Sequence, residues 1–381
     1  MTQQDLAVAV IPKTTQKKAN WAHKIFQEWR VWKRRTTGTC IPDVNISTDE
    51  NVIQETLSCF IREVRKGSGE RYPGKTLLEI ITSLQKYLEI SGKKMSLVSG
   101  KIKYALDLEM QASAKLGLGM ISKKAEELTF EHEESLWQQG ILGMTPPMAL
   151  LKALFFTLGT NFGLRGGQEH RSLTINNLSV HENGGIKYLM YTELVSKTFS
   201  GGLKDKGRKP RQARAYQNKS KPERCPVNIF ETYISQCPRD ALFKSLYLQP
   251  KSKFNCQVKF TSNPIGHNKL ADFTKIMMAE AGVKGHFTNH SLRVTTATRM
   301  FQAGLPEQLI KQQTGHKSEA VRTYKRPSEA QMFEVSSVLQ GSTHNLAEGN
   351  NFVKQEAGRT NAASPAQSIV ITGNNNCIIF K

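Results

Sequence analysis

Acidic residues are scarce in this chain. Its 381 residues carry 32 aspartates and glutamates against 53 lysines and arginines, a formal net charge of +21, and the pI is near 9.7. Solubility is the plain use of surface charge, but an excess this large and of one sign favours a polyanionic partner, nucleic acid above all. Long apolar runs are also missing: none reaches the roughly 18 residues of a membrane span. The nearest, residues 148–158, is short and contains Lys152, so it reads as a buried core helix. The N-terminus lacks the basic start and apolar stretch of a secretory signal. The six cysteines (Cys40, Cys59, Cys225, Cys237, Cys256, Cys377) include no Cys-x-x-Cys pair, and free thiols are the default reading. A zinc site built from Cys225, Cys237, Cys256 and His267 fits no standard ligand spacing. No membrane, metal or cofactor is therefore expected.

The chain is long enough for two ordinary domains with tails. Residues 1–45 read as a flexible basic arm, with Lys33-Arg34-Arg35 as a nuclear-import patch, a DNA-contacting element or simply a solvated helix face. Residues 46–142 read as a helical domain. Ser47-Thr48-Asp49-Glu50 opens one helix, and Val52, Ile53, Leu57, Phe60, Ile61 and Val64 recur at helical spacing. After the Tyr72-Pro73-Gly74 turn, Thr76 caps a second helix; others cover about 97–118 and 122–138. Arg62, Arg65, Lys93, Lys94, Lys101 and Lys103 are the candidate phosphate contacts of this domain.

Pro146-Pro147 separates it from a second domain over 146–335. There the apolar helix comes first, then a turn at Gly163-Leu164-Arg165-Gly166-Gly167. A hairpin pairs 172–180 with 186–194 across Glu182-Asn183-Gly184-Gly185. A basic loop or hairpin arm follows, with Lys204, Lys206, Arg208, Lys209, Arg211 and Arg214 as candidate DNA contacts. Helices are expected at 226–236, 267–282, 291–303, 306–314 and near 318–323. Residues 336–381 read as a mostly disordered tail with a hairpin near its end. The fold class is mainly α with a small β-sheet.

The chemistry sits in His290-x-x-Arg293, then Gly315-His316, then Tyr324, with Arg165 far upstream. A phosphodiester gains negative charge on its non-bridging oxygens as a nucleophile adds. Guanidinium groups stay charged, and their planar fork fits two oxygens at once, so Arg165 and Arg293 are candidate clamps. His290 and His316 can donate hydrogen bonds or move protons, and Tyr324 can form a covalent phosphotyrosine. A phenol is mostly protonated near neutral pH and needs a base and nearby positive charge. The leaving oxygen needs a proton donor; Lys197, just past the second hairpin strand, is placed for it. Taken one at a time, these residues have plain structural readings: a core histidine, a packing tyrosine, a glycine helix cap. Their joint appearance in this order does not.

At these residues the chain resembles the tyrosine recombinases. Gly163-Leu164-Arg165-Gly166 matches the first arginine turn, Lys197 the hairpin lysine, and His290-Ser291-Leu292-Arg293, Gly315-His316 and Tyr324 the C-terminal motifs. Phe162 to His170 and Cys225-Pro226-Val227 are similar to the Crypton-type eukaryotic recombinases and to a domain of zinc-finger MYM-type proteins. The resemblance spans most of residues 50–335. It implies a helical core-binding domain and a mixed α/β catalytic domain clamping double-stranded DNA. It also implies cleavage through a 3′-phosphotyrosine, a homotetramer on DNA and, for a mobile element of this kind, a nuclear location. Arg165 and Arg293 would bind the scissile phosphate, Lys197 act as general acid, His290 assist proton transfer and His316 hydrogen-bond the phosphate. Two departures stand out. Bacterial members mostly carry an acidic residue three after the first arginine, where this chain has Gln168 followed by Glu169. Tyr324 follows His316 by one residue fewer than is usual. An inactive DNA-binding module retained by a host is the main alternative. A type IB topoisomerase is a further one, which the His-x-x-Arg spacing disfavours.

Overall fold

The computed structural model describes residues 11–45, 47, 49–93, 95–120, 123–194, 206–207, 209–253, 257–327, 329–341, 371–373 and 376–378. The chain forms two compact units, 1–123 and 124–381.

The first unit is helical: α1 (Lys13–Thr37), α2 (Glu50–Glu63), α3 (Gly74–Ile90) and α4 (Gly100–Lys115). Asp49 caps α2 by accepting from the Asn51 backbone N–H at 2.8 Å. Helix α3 starts after Pro73, ahead of the expected cap Thr76. Phe26, Trp29 and Phe60 make edge and tilted ring contacts at the centre of the core, with Leu57, Ile61, Ile80, Ile81, Leu84 and Leu88 around them. Burying each such side chain contributes about 1.5–3 kcal/mol.

The expected basic arm is therefore different from Lys13 onward, where it is a core helix. Trp29 is 4% exposed and donates to Glu63 at 3.2 Å. Lys33 pairs with the same Glu63 at 2.6 Å, and Arg30 pairs with Asp43 at 3.0 Å. Aromatic residues spaced to one helix face carried this segment into the core, and the basic residues between them found local carboxylates.

In the second unit, α5 (Phe130–Gln138) is followed by α6 (Pro147–Phe162) and α7 (Gln168–Ser172). Residues 123–129 are not helical, and α5 belongs to this unit. Leu128, Leu136 and Leu142 share a core with α6. Pro146-Pro147 thus begins a helix, with Pro147 in its first turn, and the boundary between compact units lies upstream. Helix α6 is apolar nearly all round and almost wholly buried, as a central helix must be. Its one charged residue, Lys152, is 8% exposed and pairs with Glu280.

Strands β1 (Leu178–Asn183), β2 (Ile186–Thr192) and β3 (Gln212–Tyr216) form an antiparallel sheet in that order. Asn183 pairs with Ile186 across Gly184 and Gly185, whose φ values of 58° and 75° meet the left-handed requirement of a tight hairpin turn. The first strand is shorter than expected because α7 and a 3₁₀-helix, Ile175–Asn177, take residues 168–172 and 175–177. Part of the expected basic arm is β3, whose Ala213 and Ala215 are buried.

Beyond the sheet come α8 (Pro226–Ser235), α9 (Arg239–Leu242), the β4 (Leu248–Pro250) and β5 (Phe260–Pro264) pair, α10 (His267–Ala271), α11 (Phe273–Glu280), α12 (Asn289–Gln302) and α13 (Glu307–Thr314). A 3₁₀-helix, Glu319–Tyr324, precedes α14 (Glu329–Leu339), and β6 (Ile371–Gly373) pairs antiparallel with β7 (Asn376–Ile378). The sheet and α12 both pack on α6. Among the described residues no helix is long and apolar enough to cross a membrane, and no group of three or more His, Cys, Asp or Glu side chains is placed to hold a metal.

Candidate active site

Arg165 leaves α6 through the turn after Gly163. Its backbone N–H donates to Glu169 Oε2 at 2.8 Å, its guanidinium pairs with Glu169 Oε1, and Nη2 reaches the Gly315 carbonyl at 3.5 Å. Glu169 is 6% exposed. Burial alone would raise its pKa, but the Arg165 N–H and guanidinium outweigh it, and the carboxylate is held below its ordinary value. The acidic partner sits four residues after Arg165, as the second residue of α7, whereas Gln168 is exposed.

Helix α12 begins at Asn289, ahead of the expected residue 291, because Thr288 and Ser291 form a reciprocal cap. Asn289 anchors that end: its Oδ1 accepts from Thr274 N at 3.0 Å and its Nδ2 donates to Leu270 O at 2.7 Å. His290 and Arg293 are thereby fixed one turn apart. A Cβ added at Gly166 would lie 2.4 Å from His290 N and 2.6 Å from Asn289 C, so only glycine lets the Arg165 turn approach this helix end.

Arg293 is 1% exposed. Its Nη1 donates to the carbonyls of Gly163 and Thr314, and Nε donates to His316 Nε2 at 3.3 Å. Nη2 is buried and has no hydrogen-bond partner among the described residues. Burial first, then the charge of Arg165, lowers its pKa to about 10; it remains a cation at neutral pH.

His316 accepts from Arg293 through Nε2, so Nδ1 carries the proton and donates to Thr314 Oγ1 at 2.6 Å. The Thr314 hydroxyl passes its own proton to Ile310 O at 2.6 Å. Burial and the Arg293 and Arg165 charges lower the His316 pKa to about 3, consistent with this neutral tautomer. In this state His316 orients Arg293 and has no ring N–H to spare.

Tyr324 ends the 3₁₀-helix, and its hydroxyl lies 3.0 Å from His290 Nε2. Burial lowers the His290 pKa, and Arg293 and Arg165 push the same way, so the ring is a neutral acceptor facing the phenol. The tight helix also answers the short spacing from His316. At about 2.0 Å rise per residue, its six residues (Glu319–Tyr324) cover roughly 12 Å, against roughly 9 Å in an α-helix.

Arg165, His290, Arg293, His316 and Tyr324 line one open cavity of about 610 Å³, with Gly166, Gly167, Thr288, Asn289 and Lys317. Five of the six expected catalytic residues are thus brought together; the sixth, Lys197, lies outside the described residues.

The expected DNA contacts fare unevenly. Arg62, Lys101 and Lys103 are exposed on the first unit and Arg65 is half-buried, with Lys101 paired to Glu55. Lys93 is instead a strut, donating to the Val44 and Ser47 carbonyls at 2.9 and 2.7 Å. Lys206, Lys209 and Arg214 are exposed, and Arg214 lies over the Tyr188 ring at 4.9 Å. Arg211 is mostly buried. Its side chain is 10% exposed, beside Glu193 and 5.0 Å above the Tyr191 ring. Lys94, Lys204 and Arg208 lie outside the described residues. Glu169 in its pairing role and Thr314 were not singled out for the site from sequence; for Glu169 the signal was its four-residue spacing from Arg165.

Residues 128–278 match the family model described as a domain of unknown function, DUF3504. The chain is 25% identical over 209 residues to human zinc finger MYM-type protein 3, covering 51% of this chain and 15% of that protein. It is 24% identical over 245 residues to the human transcriptional regulator QRICH1, covering 58% and 30%. The chain thus spans well under half of these relatives. Among solved structures, the Tn1549 transposon integrase in complex with transposon right end DNA is similar at TM-score 0.49 and 15% identity, covering 89% of this chain and 97% of that one. The XerH site-specific recombinase bound to its difH substrate is similar at 0.48 and 16%, covering 85% and 79%. The chain resembles the tyrosine recombinases. In this chain the carboxylate paired with Arg165 is that of Glu169, and the run from His316 to Tyr324 ends in a 3₁₀-helix.

Proposed function

We propose that this chain binds double-stranded DNA and cleaves and rejoins it through a 3′-phosphotyrosine at Tyr324, as the recombinase of a Crypton-type mobile element. The observation that carries the reading is the Tyr324 hydroxyl 3.0 Å from a neutral His290, in one cavity with Arg165 and Arg293. The arginine pair binds the scissile phosphate and stabilises the charge that develops on its oxygens. Arg293 Nη2, which lacks a partner among the described residues, supplies one donor. His290 takes the phenolic proton as Tyr324 attacks phosphorus, and the 5′-oxygen departs with a proton. The resemblance gives that donation to Lys197. His316 keeps Arg293 oriented through Nε2, a positioning role in place of the direct phosphate hydrogen bond the family implies. Strand exchange by a homotetramer and a nuclear location belong to the same proposal.

A second reading, a non-catalytic DNA-binding regulatory module, is favoured by similarity to a protein named as a transcriptional regulator. One experiment separates the two. Incubated with a pool of nicked duplexes, the chain gives a DNA-shifted band on a denaturing gel. Tyr324→Phe removes that band while DNA affinity stays within about twofold, the range of a benign substitution. DNA binding without an adduct on any duplex would select the regulatory reading.

A further inference from the structure

A second basic cavity, of about 390 Å³, adjoins the first and shares His316 and Lys317 as a common wall. Arg211, Lys209, Lys311 and Glu193 also line it. Lys311 is neutralised by Glu307 and Glu319, whereas Lys209 is exposed at the rim. Arg211 is the unusual member. Its side chain is nine-tenths buried, yet among the described residues only Nη1 makes a hydrogen bond, to Gln313 O at 3.1 Å. Glu193 Oε2 lies 3.4 Å from Nε, as an ion pair without hydrogen-bond geometry, and both Nε and Nη2 are buried without hydrogen-bond partners among the described residues. A buried guanidinium with two unmet donors is costly unless something meets them. The position is held firmly: the Tyr191 ring lies below it, and a Cβ at Gly315 would come within 2.7 Å of Nη1.

We propose that Arg211 and Lys209 form a second anion subsite, which takes the phosphate next to the scissile one on the same DNA strand. The inference rests on the reading that the first cavity holds a phosphodiester. A polynucleotide strand carries its charges at regular intervals, so a strand seated with one phosphate between Arg165 and Arg293 presents the next beyond the shared His316–Lys317 wall. Arg211 offers that neighbour a planar fork, and the strand's register over Tyr324 is fixed at two points instead of one.

The test uses the full chain and nicked duplexes in which the phosphate on either side of the scissile one is replaced by an uncharged methylphosphonate. The unaltered chain loses about tenfold in affinity for one of these two duplexes, the size of one charge-assisted contact. Arg211→Gln binds unmodified DNA about tenfold more weakly and then loses less than about twofold on that same replacement, because the two changes remove one contact. If Arg211→Gln keeps the full tenfold sensitivity, the subsite is overturned: a mere buttress of the Gly315 turn would weaken binding without selecting a phosphate. Lys209→Ala, at an exposed position, serves if Arg211→Gln fails to fold. Its sensitivity to the same phosphate drops by about half, and sensitivity equal to that of the unaltered chain overturns the proposal. Covalent chemistry is read separately on the same duplexes. An Arg211-dependent phosphate effect without adduct removes the enzyme and keeps the subsite; an adduct without that effect does the reverse.

Discussion

At the scale of residues, the site is a study in how burial chooses protonation states. His290 and His316 lie beside two arginines, and both effects, desolvation and like charge, depress their pKa values. For His290 the sign has a kinetic consequence. A base must be neutral to accept a proton, and a histidine whose pKa is lowered stays neutral to lower pH than the ordinary 6.5. The rate of adduct formation on nicked DNA should therefore hold steady as pH falls to 6.5 and decline only beneath it. An acid limb centred above 6.5 would mean that His290 is not the group facing the phenol. The same burial was invisible in the sequence: nothing in a lone Arg211 or Lys93 distinguishes a phosphate contact from a strut. Both were grouped with surface cations; tertiary packing buried Arg211 beside Glu193 and committed Lys93 to the Val44 and Ser47 carbonyls.

At the scale of elements, catalytic geometry depends on where helices begin and end. Helix α12 starts at a capped Asn289, and the Arg165 turn touches that start through Gly166. Gly166→Ala sets a methyl against backbone atoms that cannot swing aside. Overpacking of this kind costs about 1–3 kcal/mol, and moving His290 by even an ångström reduces rate by about a hundredfold. Thermal melting and the nicked-duplex gel together check this; a variant with unchanged melting temperature and adduct yield would show the close approach to be idle. The motif order from Arg165 to Tyr324 was legible because each motif is local: a few residues at fixed spacing on one turn. The α1 helix was less legible, since its charges at Lys17-Lys18 and Lys33-Arg34-Arg35 concealed the apolar face of Ala22, Ile25, Phe26 and Trp29. The extent of β1 was misjudged for a related reason: residues 172–177 alternate like a strand but end α7 and form a 3₁₀ turn.

At the scale of the whole molecule, the charge of +21 matters through the cations that remain exposed. Binding to duplex DNA releases counterions, and the logarithm of affinity falls linearly with the logarithm of salt, with a slope of about −0.9 per phosphate neutralised. Lys103 and Arg214 are exposed, so alanine at either should reduce that slope by about one while leaving the fold intact. Lys93→Ala should behave oppositely. Its ammonium is already committed to two backbone carbonyls, and losing it leaves them unsatisfied at about 1–3 kcal/mol of stability, with no change in slope. Fluorescence anisotropy titrations across a salt series, paired with urea unfolding, measure both quantities. If Lys93→Ala lowered the slope as much as Lys103→Ala, the division between structural and contacting cations drawn from burial would be wrong, and the formal charge alone would govern binding.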